Sequence, residues 1–368
     1  MAKGQRGKAC LPDSFDAVRR ESGKEAEGHR DRVAKQACWT ASIPLRKNRS
    51  GKSAELCPSA THPLTEIFTR IHKAPLTGLD HAWRKPVTAQ LPKPEWLRRR
   101  LPASPEYEKM RKLIQNSCLH TVCQEACCPN QWECFSEQTA AFLIMGHVCT
   151  RDCRFCAVSH GIPKELDPDE PTRVADAARS LGLTYVVVTS VTRDDLPDGG
   201  ASCFARTIEA IRHAIPQAGI EVLIPDFQGD SSALKTVLQA GPTVLNHNIE
   251  TVPRLYSIAR PQAVYARSLA LLAESAAHSP HIPVKSGLML GMGETDAEII
   301  EVLEALRAHG CTRLTLGQYL QPGRNHLPVE RYVPPREFER WQQTALEMGF
   351  VRSVCGPFVR SSYHAGDM

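Results

Sequence analysis

Nowhere in its 368 residues does this chain hold 18 consecutive apolar residues, the length a helix needs to cross a bilayer, so no membrane-spanning helix is expected. Lys3, Arg6 and Lys8 near the N-terminus are not followed by an apolar segment, which excludes a secretory signal. Asp13, Asp16, Glu21, Glu25 and Glu27 argue against a mitochondrial transit peptide, which is poor in acidic residues. There is no G-x-x-x-x-G-K-[ST] phosphate loop. Gly287, Gly291 and Gly293 recur at intervals but do not open a helix, as a dinucleotide fingerprint would. Residues 1–75 lack sustained periodicity, and Cys10, Cys38 and Cys57 within them lack metal-like spacing. That segment holds 15 Lys and Arg against 8 Asp and Glu, while the rest of the chain holds 30 against 32. Such a basic stretch can bind nucleic acid or an anionic surface. Its composition reads instead as a solvated extension with two helical turns, at 64–71. Neither nucleic acid nor membrane is expected as a partner.

What the chain does have is cysteine. It carries fourteen, eight of them between Cys118 and Cys156, with Cys127 and Cys128 adjacent. That local density suits metal ligation in a reducing compartment better than a disulfide framework, and points to the cytoplasm. Cys149, Cys153 and Cys156 form C-x3-C-x2-C directly after the apolar run 140–146. Three thiolates so close can hold three irons of a four-iron cluster, which usually takes four cysteines. No fourth follows at short spacing, so one iron keeps an open position where a cofactor can coordinate. The alternative is a structural zinc knuckle, which closes with four ligands. A second triplet, Cys123, Cys128 and Cys134, reads C-x4-C-x5-C and again lacks a fourth ligand nearby. Cys118, Cys203, Cys311 and Cys355 read as small buried hydrophobes or bystanders.

Beyond residue 139, β-rich runs alternate with helical patterns. Strands are expected at 141–145, 185–189, 221–224, 244–248, 285–290 and 313–316. Helices are expected at 173–181, 203–215, 232–239, 264–278, 296–309 and 336–348. Upstream, residues 93–98 read as a lead-in and 104–115 as a helix, with Ser104 as N-cap and Pro105 at its first position. Alternating βα units imply a parallel sheet. The fold class is α/β, and six units suffice for a partial (β/α)6 barrel with N- and C-terminal extensions; a doubly wound open sheet competes. In βα barrels the chemistry sits at the C-terminal strand ends, which is where Cys149 falls.

The triplet Cys149/Cys153/Cys156, with Phe155 before its last cysteine, resembles the signature of the radical S-adenosylmethionine superfamily. Both triplets together resemble the lipoyl synthase family, from about residue 90 to the C-terminus. The supporting residues are Thr121 to Ala126, Cys128-Pro129-Asn130, Glu133-Cys134-Phe135, Thr189-Ser190-Val191, Arg193 to Leu196, Asp198-Gly199-Gly200, Asn246 to Val252, Lys285 to Met289, and Arg360-Ser361-Ser362-Tyr363. The resemblance divides the chain into an extension (1–80), an auxiliary-cluster segment (81–138), the barrel (139–350) and a tail bearing R-S-S-Y (351–368). It implies two four-iron clusters and S-adenosylmethionine as cofactors. Cys149, Cys153 and Cys156 would hold the radical cluster; Cys123, Cys128, Cys134 and Ser362 would hold the auxiliary one. Cys127 departs from the family pattern and offers a competing register, but only Cys128 keeps both spacings.

The reaction the resemblance implies is insertion of two sulfurs, drawn from the auxiliary cluster, at C6 and C8 of an octanoyl-lysine. Each C–H bond broken consumes one S-adenosylmethionine. Partners would be octanoylated lipoyl carrier domains of 2-oxoacid dehydrogenase complexes or the glycine-cleavage H protein, a flavodoxin or ferredoxin as electron donor, and an iron–sulfur carrier for cluster repair. A biotin synthase or methylthiotransferase would share the first triplet but not the second with R-S-S-Y. A non-enzymatic metal-binding module is the contrasting class. For cofactor contacts, strand ends nominate Thr189, Ser190, Asn248 and Glu250. Asp198 opens a turn with exposed amides, and Arg260 suits a carboxylate; local capping or surface pairing is the plainer alternative for each. Lys285 reads equally as a solvated strand-end charge.

Overall fold

The computed structural model describes residues 91–98, 105–136 and 139–367. The helical turns expected at 64–71 and the cap expected at Ser104 lie outside the described residues. A 3-10 turn, Glu95–Leu97, is followed by helix α1 (Pro105–Asn116), which buries Tyr107, Met110 and Ile114 on one face. Tyr107 stacks on Trp132 at 4.2 Å, fastening α1 to the cysteine-bearing segment. That segment comprises β1 (His120–Thr121), α2 (Val122–Glu125) and α3 (Gln131–Ser136). The Thr121 side chain caps α2 by accepting from the Gln124 amide.

The main body follows as β2 (Ala141–Ile144), β3 (Val148–Cys149), β4 (Ser159–His160), α4 (Glu170–Ser180), β5 (Tyr185–Ser190), α5 (Ala201–Ala214) and β6 (Gly219–Leu223). It continues as α6 (Ser231–Gln239), β7 (Val244–Asn246), α7 (Pro253–Ala259), α8 (Tyr265–His278), β8 (Val284–Leu290), α9 (Asp296–Ala308), β9 (Arg313–Gln318), α10 (Pro335–Glu347) and β10 (Arg352–Gly356). The expected strands and helices are all present, with ends shifted by a few residues. α4 starts earlier than expected because Pro171 pre-sets its first turn. α9 opens with a capping box between Thr295 and Glu298, worth about 1 kcal/mol. The short α7 and the strand β10 were not foreseen. β10 pairs with β9, so the sheet continues past residue 350.

The main sheet runs β1-β2-β5-β6-β7-β8-β9-β10, parallel throughout except at the β1–β2 edge. From β2 onward the order never reverses. Right-handed crossovers then place every connecting helix on the same face. A doubly wound sheet reverses at a switch point and has helices on both faces, so that alternative is set aside. β1 and β10 are the two ends of an open sheet, six βα units followed by an added strand.

The alternation along each strand shows how the layers are filled. Val186 and Val188 of β5, with Ile220 and Val222 of β6, belong to the fully buried core facing the helices. Each contributes about 1.5–3 kcal/mol. Val187 points to the other face, where it meets Ala141 and Ala365. That face is covered by residues of the C-terminal tail. Gly366 lies against Tyr185 of β5, where an added Cβ would sit 3.4 Å from the tyrosine Cβ. Arg352 Nη1 of β10 donates to the Asp367 carbonyl at 3.4 Å. Four strands separate β5 from β10 in the sheet, so only strong curvature brings both to the same two tail residues.

Candidate active site

Residues 149–156 begin at the end of β3, a few residues beyond the C-terminal end of β2, and are tied down on three sides. Thr150 donates from its amide and its hydroxyl to the Thr192 carbonyl, each at 3.0 Å, beyond the end of β5. The Asp152 amide donates to Gln262 Oε1 at 2.9 Å and the Arg154 amide to the Ala259 carbonyl at 2.9 Å, both after or within α7. His326 Nε2 pairs with the Cys156 carbonyl at 3.0 Å from the segment after β9.

The three thiols are half-buried and unpaired, and each of Cys153 and Cys156 lies within electrostatic reach of Cys149. Burial pushes the Cys153 thiol up to about 11 and the Cys156 thiol up to about 12. Bare, both stay protonated at neutral pH; a bound metal is what turns such thiols into thiolates. Cys149 Sγ accepts from the amides of Thr192 at 3.3 Å and Arg151 at 3.4 Å, donors suited to a sulfur carrying charge. Among the described residues, no three His, Cys, Asp or Glu side chains converge on a position for a single metal ion.

In the second triplet Cys123 is buried and lies beside Cys128, whose charge adds to burial in pushing the Cys123 thiol up to about 12. Cys127 is exposed, with a left-handed φ of 50°. The backbone closes here with the Cys128 amide on the Cys123 carbonyl at 3.0 Å, which brings residues 123 and 128 onto one turn. Cys134 lies in α3, half-buried.

The tail reaches both triplets. Asn130 Nδ2 donates to the Phe358 carbonyl at 2.6 Å, and Tyr363 OH to Glu133 Oε1 at 3.0 Å, next to Cys134. Asn248 Nδ2 donates to Ser361 Oγ at 2.6 Å. The Asn248 carbonyl in turn accepts from Arg260 Nη1 at 3.0 Å, and the Arg260 charge acts on Cys153. Ser362, half-buried, lies between these two attachments.

The nominated cofactor contacts separate into two groups. Ser190 Oγ, Asn248 Oδ1 and Arg260 Nε are buried without a protein partner. Native proteins leave few such atoms, so these three fit a ligand that would satisfy them. Arg260 is only 9% exposed. Its Nη1 is held by the Asn248 carbonyl and by Tyr256 OH at 3.3 Å. Glu250 has a left-handed φ of 69°. Burial pushes its carboxyl up, against the pull of Arg260 and Asn248. The other two residues are occupied by the fold. Thr189 Oγ1 donates to the Leu223 carbonyl at 3.0 Å across the strand pair. Asp198 accepts from the amides of Gly200 and Ser202, both at 2.9 Å, at the start of α5. The amides expected to be exposed in that turn are therefore taken. Lys285 is not a solvated charge: it is fully buried, because its ammonium is paired with the equally buried Glu221 at 3.0 Å.

Sequence reasoning missed Arg151, inside the first triplet. Its Nε and Nη2 donate to Asp194 Oδ2 and Oδ1 at 2.6 and 2.9 Å, and Nη2 also donates to Asp226 Oδ1 at 2.6 Å. These partners lie 43 and 75 residues away, and no spacing rule joins them. The one available signal was a charged residue inside a cysteine loop.

The residues present thus fit two clusters and a small zwitterionic cofactor. The sequence profile of the radical SAM superfamily matches residues 143–317. A lipoyl synthase of Desulfotalea psychrophila is 60% identical over 274 residues, 74% of this chain and 91% of that protein. One of Rubrobacter xylanophilus is 54% identical over 273 residues, 74% and 85% of the two chains. One of Caldanaerobacter subterraneus subsp. tengcongensis is 54% identical over 273 residues, 74% and 95% of the two.

Proposed function

The chain belongs to the lipoyl synthase family of the radical S-adenosylmethionine superfamily, and from that premise we propose how its own residues carry the family's reaction. The enzyme is a sulfurtransferase that inserts two sulfur atoms, at C6 and C8, into a protein-bound octanoyl-lysine. Its cofactors are two four-iron clusters and S-adenosylmethionine. When bound, they supply the hydrogen abstraction that an unactivated C–H bond requires, and the sulfur.

Cys149, Cys153 and Cys156 hold the radical cluster, and Cys123, Cys128, Cys134 and Ser362 the auxiliary one. Arg260, fixed at Nη1 and unpartnered at Nε, receives the carboxylate of S-adenosylmethionine. Glu250, on the strand-end turn beside Arg260, faces its ammonium. Ser190 and Asn248 add buried polar atoms without a protein partner, Thr189 acts indirectly by holding the end of β5 to β6, and Asp198 by closing the turn into α5. Arg151 excludes movement of the cluster loop by tying it to Asp194 and Asp226.

One observation carries this reading. A single tail, Ser361 to Tyr363, is hydrogen-bonded to Asn248 on the radical side and to Glu133 on the auxiliary side. Sulfur insertion needs these two sites to face one substrate.

The enzyme acts on lipoyl carrier proteins. We assign the carriers as lipoyl domains of 2-oxoacid dehydrogenase complexes or the glycine-cleavage H protein, with a flavodoxin or ferredoxin as donor and an iron–sulfur carrier for repair. No described helix is long and apolar enough to cross a membrane. On its cysteine-rich segment, which suits metal ligation in a reducing compartment, we place the protein in the cytoplasm. Residues 1–80 form an extension outside the catalytic unit, 81–138 the auxiliary segment, 139–350 the barrel and 351–368 the tail.

The test is metal content with turnover. Anaerobically reconstituted protein should hold about eight irons, and the Cys149→Ala/Cys153→Ala/Cys156→Ala variant about half. The intact protein should form lipoyl product on an octanoyl-lysine peptide. Stoichiometric zinc without iron would overturn the reading.

A further inference from the structure

The concave face of the sheet carries a charge pair that the reaction above does not use. Glu221 of β6 and Lys285 of β8 both have 0% side-chain exposure. Lys285 Nζ donates to Glu221 Oε1 at 3.0 Å, to Glu221 Oε2 at 3.2 Å and to the Ser361 carbonyl at 2.7 Å. An ammonium has three protons, and these three acceptors use them all. Glu221 is filled from its other side, by Asn246 Nδ2 on Oε1 at 3.0 Å and Tyr185 OH on Oε2 at 3.2 Å. Neither group has exposure left for substrate or solvent.

A buried ion pair is weak evidence for stability, since apolar residues of similar volume often serve as well. Its best-attested use is to fix a register. Here the element whose register it fixes is the tail, because the tail's carbonyl is the third acceptor of a fully buried cation. If the tail leaves, the Lys285 ammonium loses its third acceptor. The bond is to the backbone, so it holds residue 361 whatever its side chain does. The far end of the same turn is fixed separately, by Tyr363 on Glu133.

We propose that the Glu221–Lys285 pair is the positioning device for the auxiliary-cluster ligand: it clamps the Ser361 carbonyl so that Ser362 faces Cys123, Cys128 and Cys134. This deepens the functional reading and rests on its assignment of Ser362 as a ligand. Two variants separate the clamp from the fold. Glu221→Gln/Lys285→Met removes both charges at similar volume. Glu221→Lys/Lys285→Glu keeps a pair but turns a carboxylate toward the Ser361 carbonyl.

The measurements are amide hydrogen exchange over residues 358–366 of the iron-loaded full chain, and the Mössbauer spectrum of its auxiliary cluster. In both variants tail exchange should accelerate about tenfold or more, the effect of losing a charged hydrogen bond from a locally opening segment. Iron at Cys149, Cys153 and Cys156 should stay, and the auxiliary spectrum should match that of Ser362→Ala. Parent-like tail exchange in either folded variant would overturn the clamp, as would a parent-like auxiliary spectrum. If the parent and Ser362→Ala spectra coincide, the ligand assignment has failed instead, and tail exchange alone judges the clamp.

Discussion

Ser361 and Ser362 are chemically identical neighbours with different surroundings. Ser361 is engaged at its hydroxyl by Asn248 and at its carbonyl by Lys285. Ser361→Ala loses one of these, worth about 0.5–1.5 kcal/mol, and keeps the backbone bond. Ser362→Ala leaves the attachments of the tail in place and removes the hydroxyl assigned to iron. The Ser362→Ala protein should still cleave S-adenosylmethionine to 5′-deoxyadenosine, because Cys149, Cys153 and Cys156 are untouched, yet form almost no lipoyl product. Ser361→Ala should retain most of its yield. Both are read on an octanoyl-lysine peptide, with 5′-deoxyadenosine measured in parallel. Normal yield from Ser362→Ala would remove that serine from the mechanism; parallel loss of both products would signal a folding defect.

At the scale of elements, the loop from Cys149 to Cys156 owes its shape to Arg151. The guanidinium is 4% exposed and faces Asp226 at 0% and Asp194 at 27% side-chain exposure. Removing Arg151 leaves buried Asp226 with only the longer Arg267 contact at 3.4 Å and returns Asp194 to partial solvation, so the cost stays below the roughly 3–5 kcal/mol of a fully orphaned buried charge. Arg151→Gln should therefore lower the melting temperature and release iron from the first triplet before the second. Lysine should not rescue it, because one ammonium cannot reproduce a bidentate fork to Asp194 with a further bond to Asp226. Arg111, paired with Glu108 on the exposed face of α1, supplies the control: Arg111→Ala should leave stability and iron content close to the parent's, because a surface pair contributes little. Equal iron loss from Arg111→Ala and Arg151→Gln would refute the loop argument. The comparison also shows what a sequence conveys. Cysteine spacing, strand-helix alternation and the tail motif are local and can be read directly. The partners of Arg151, Lys285 and Tyr363 are set by how the fold brings together the strand-end loops, neighbouring strands, α3 and the tail, and no local pattern encodes them. β10 escaped notice because Arg352-Ser353-Val354-Cys355-Gly356 has one β-branched residue and gains its place by pairing with β9.

At the scale of the whole molecule, the sheet, the auxiliary segment and the tail are interdependent. The sheet leaves a concave face, the tail crosses it, and the tail is also what the auxiliary segment is bonded to. Gly317 on β9 marks the crossing: a Cβ there would run into the Val359 carbonyl. Every residue named in that arrangement lies among the described residues after 104. The Desulfotalea relative matches 74% of this chain with 91% of its own length, so about three-quarters of these residues span nearly all of a lipoyl synthase. Residues 1–75 hold the chain's positive excess and none of the assigned ligands. Removing them should leave about eight irons per chain and turnover on the octanoyl-lysine peptide close to that of the intact protein, since the match to the Desulfotalea relative takes in 74% of this chain and 91% of that enzyme. Turnover of the shortened protein should depend little on salt, because the remaining chain is close to neutral. Iron content, yield and salt profile on the shortened protein measure each of these. Loss of soluble, iron-loaded protein on truncation would show instead that the segment packs on the catalytic unit and that its basic composition hides a structural role.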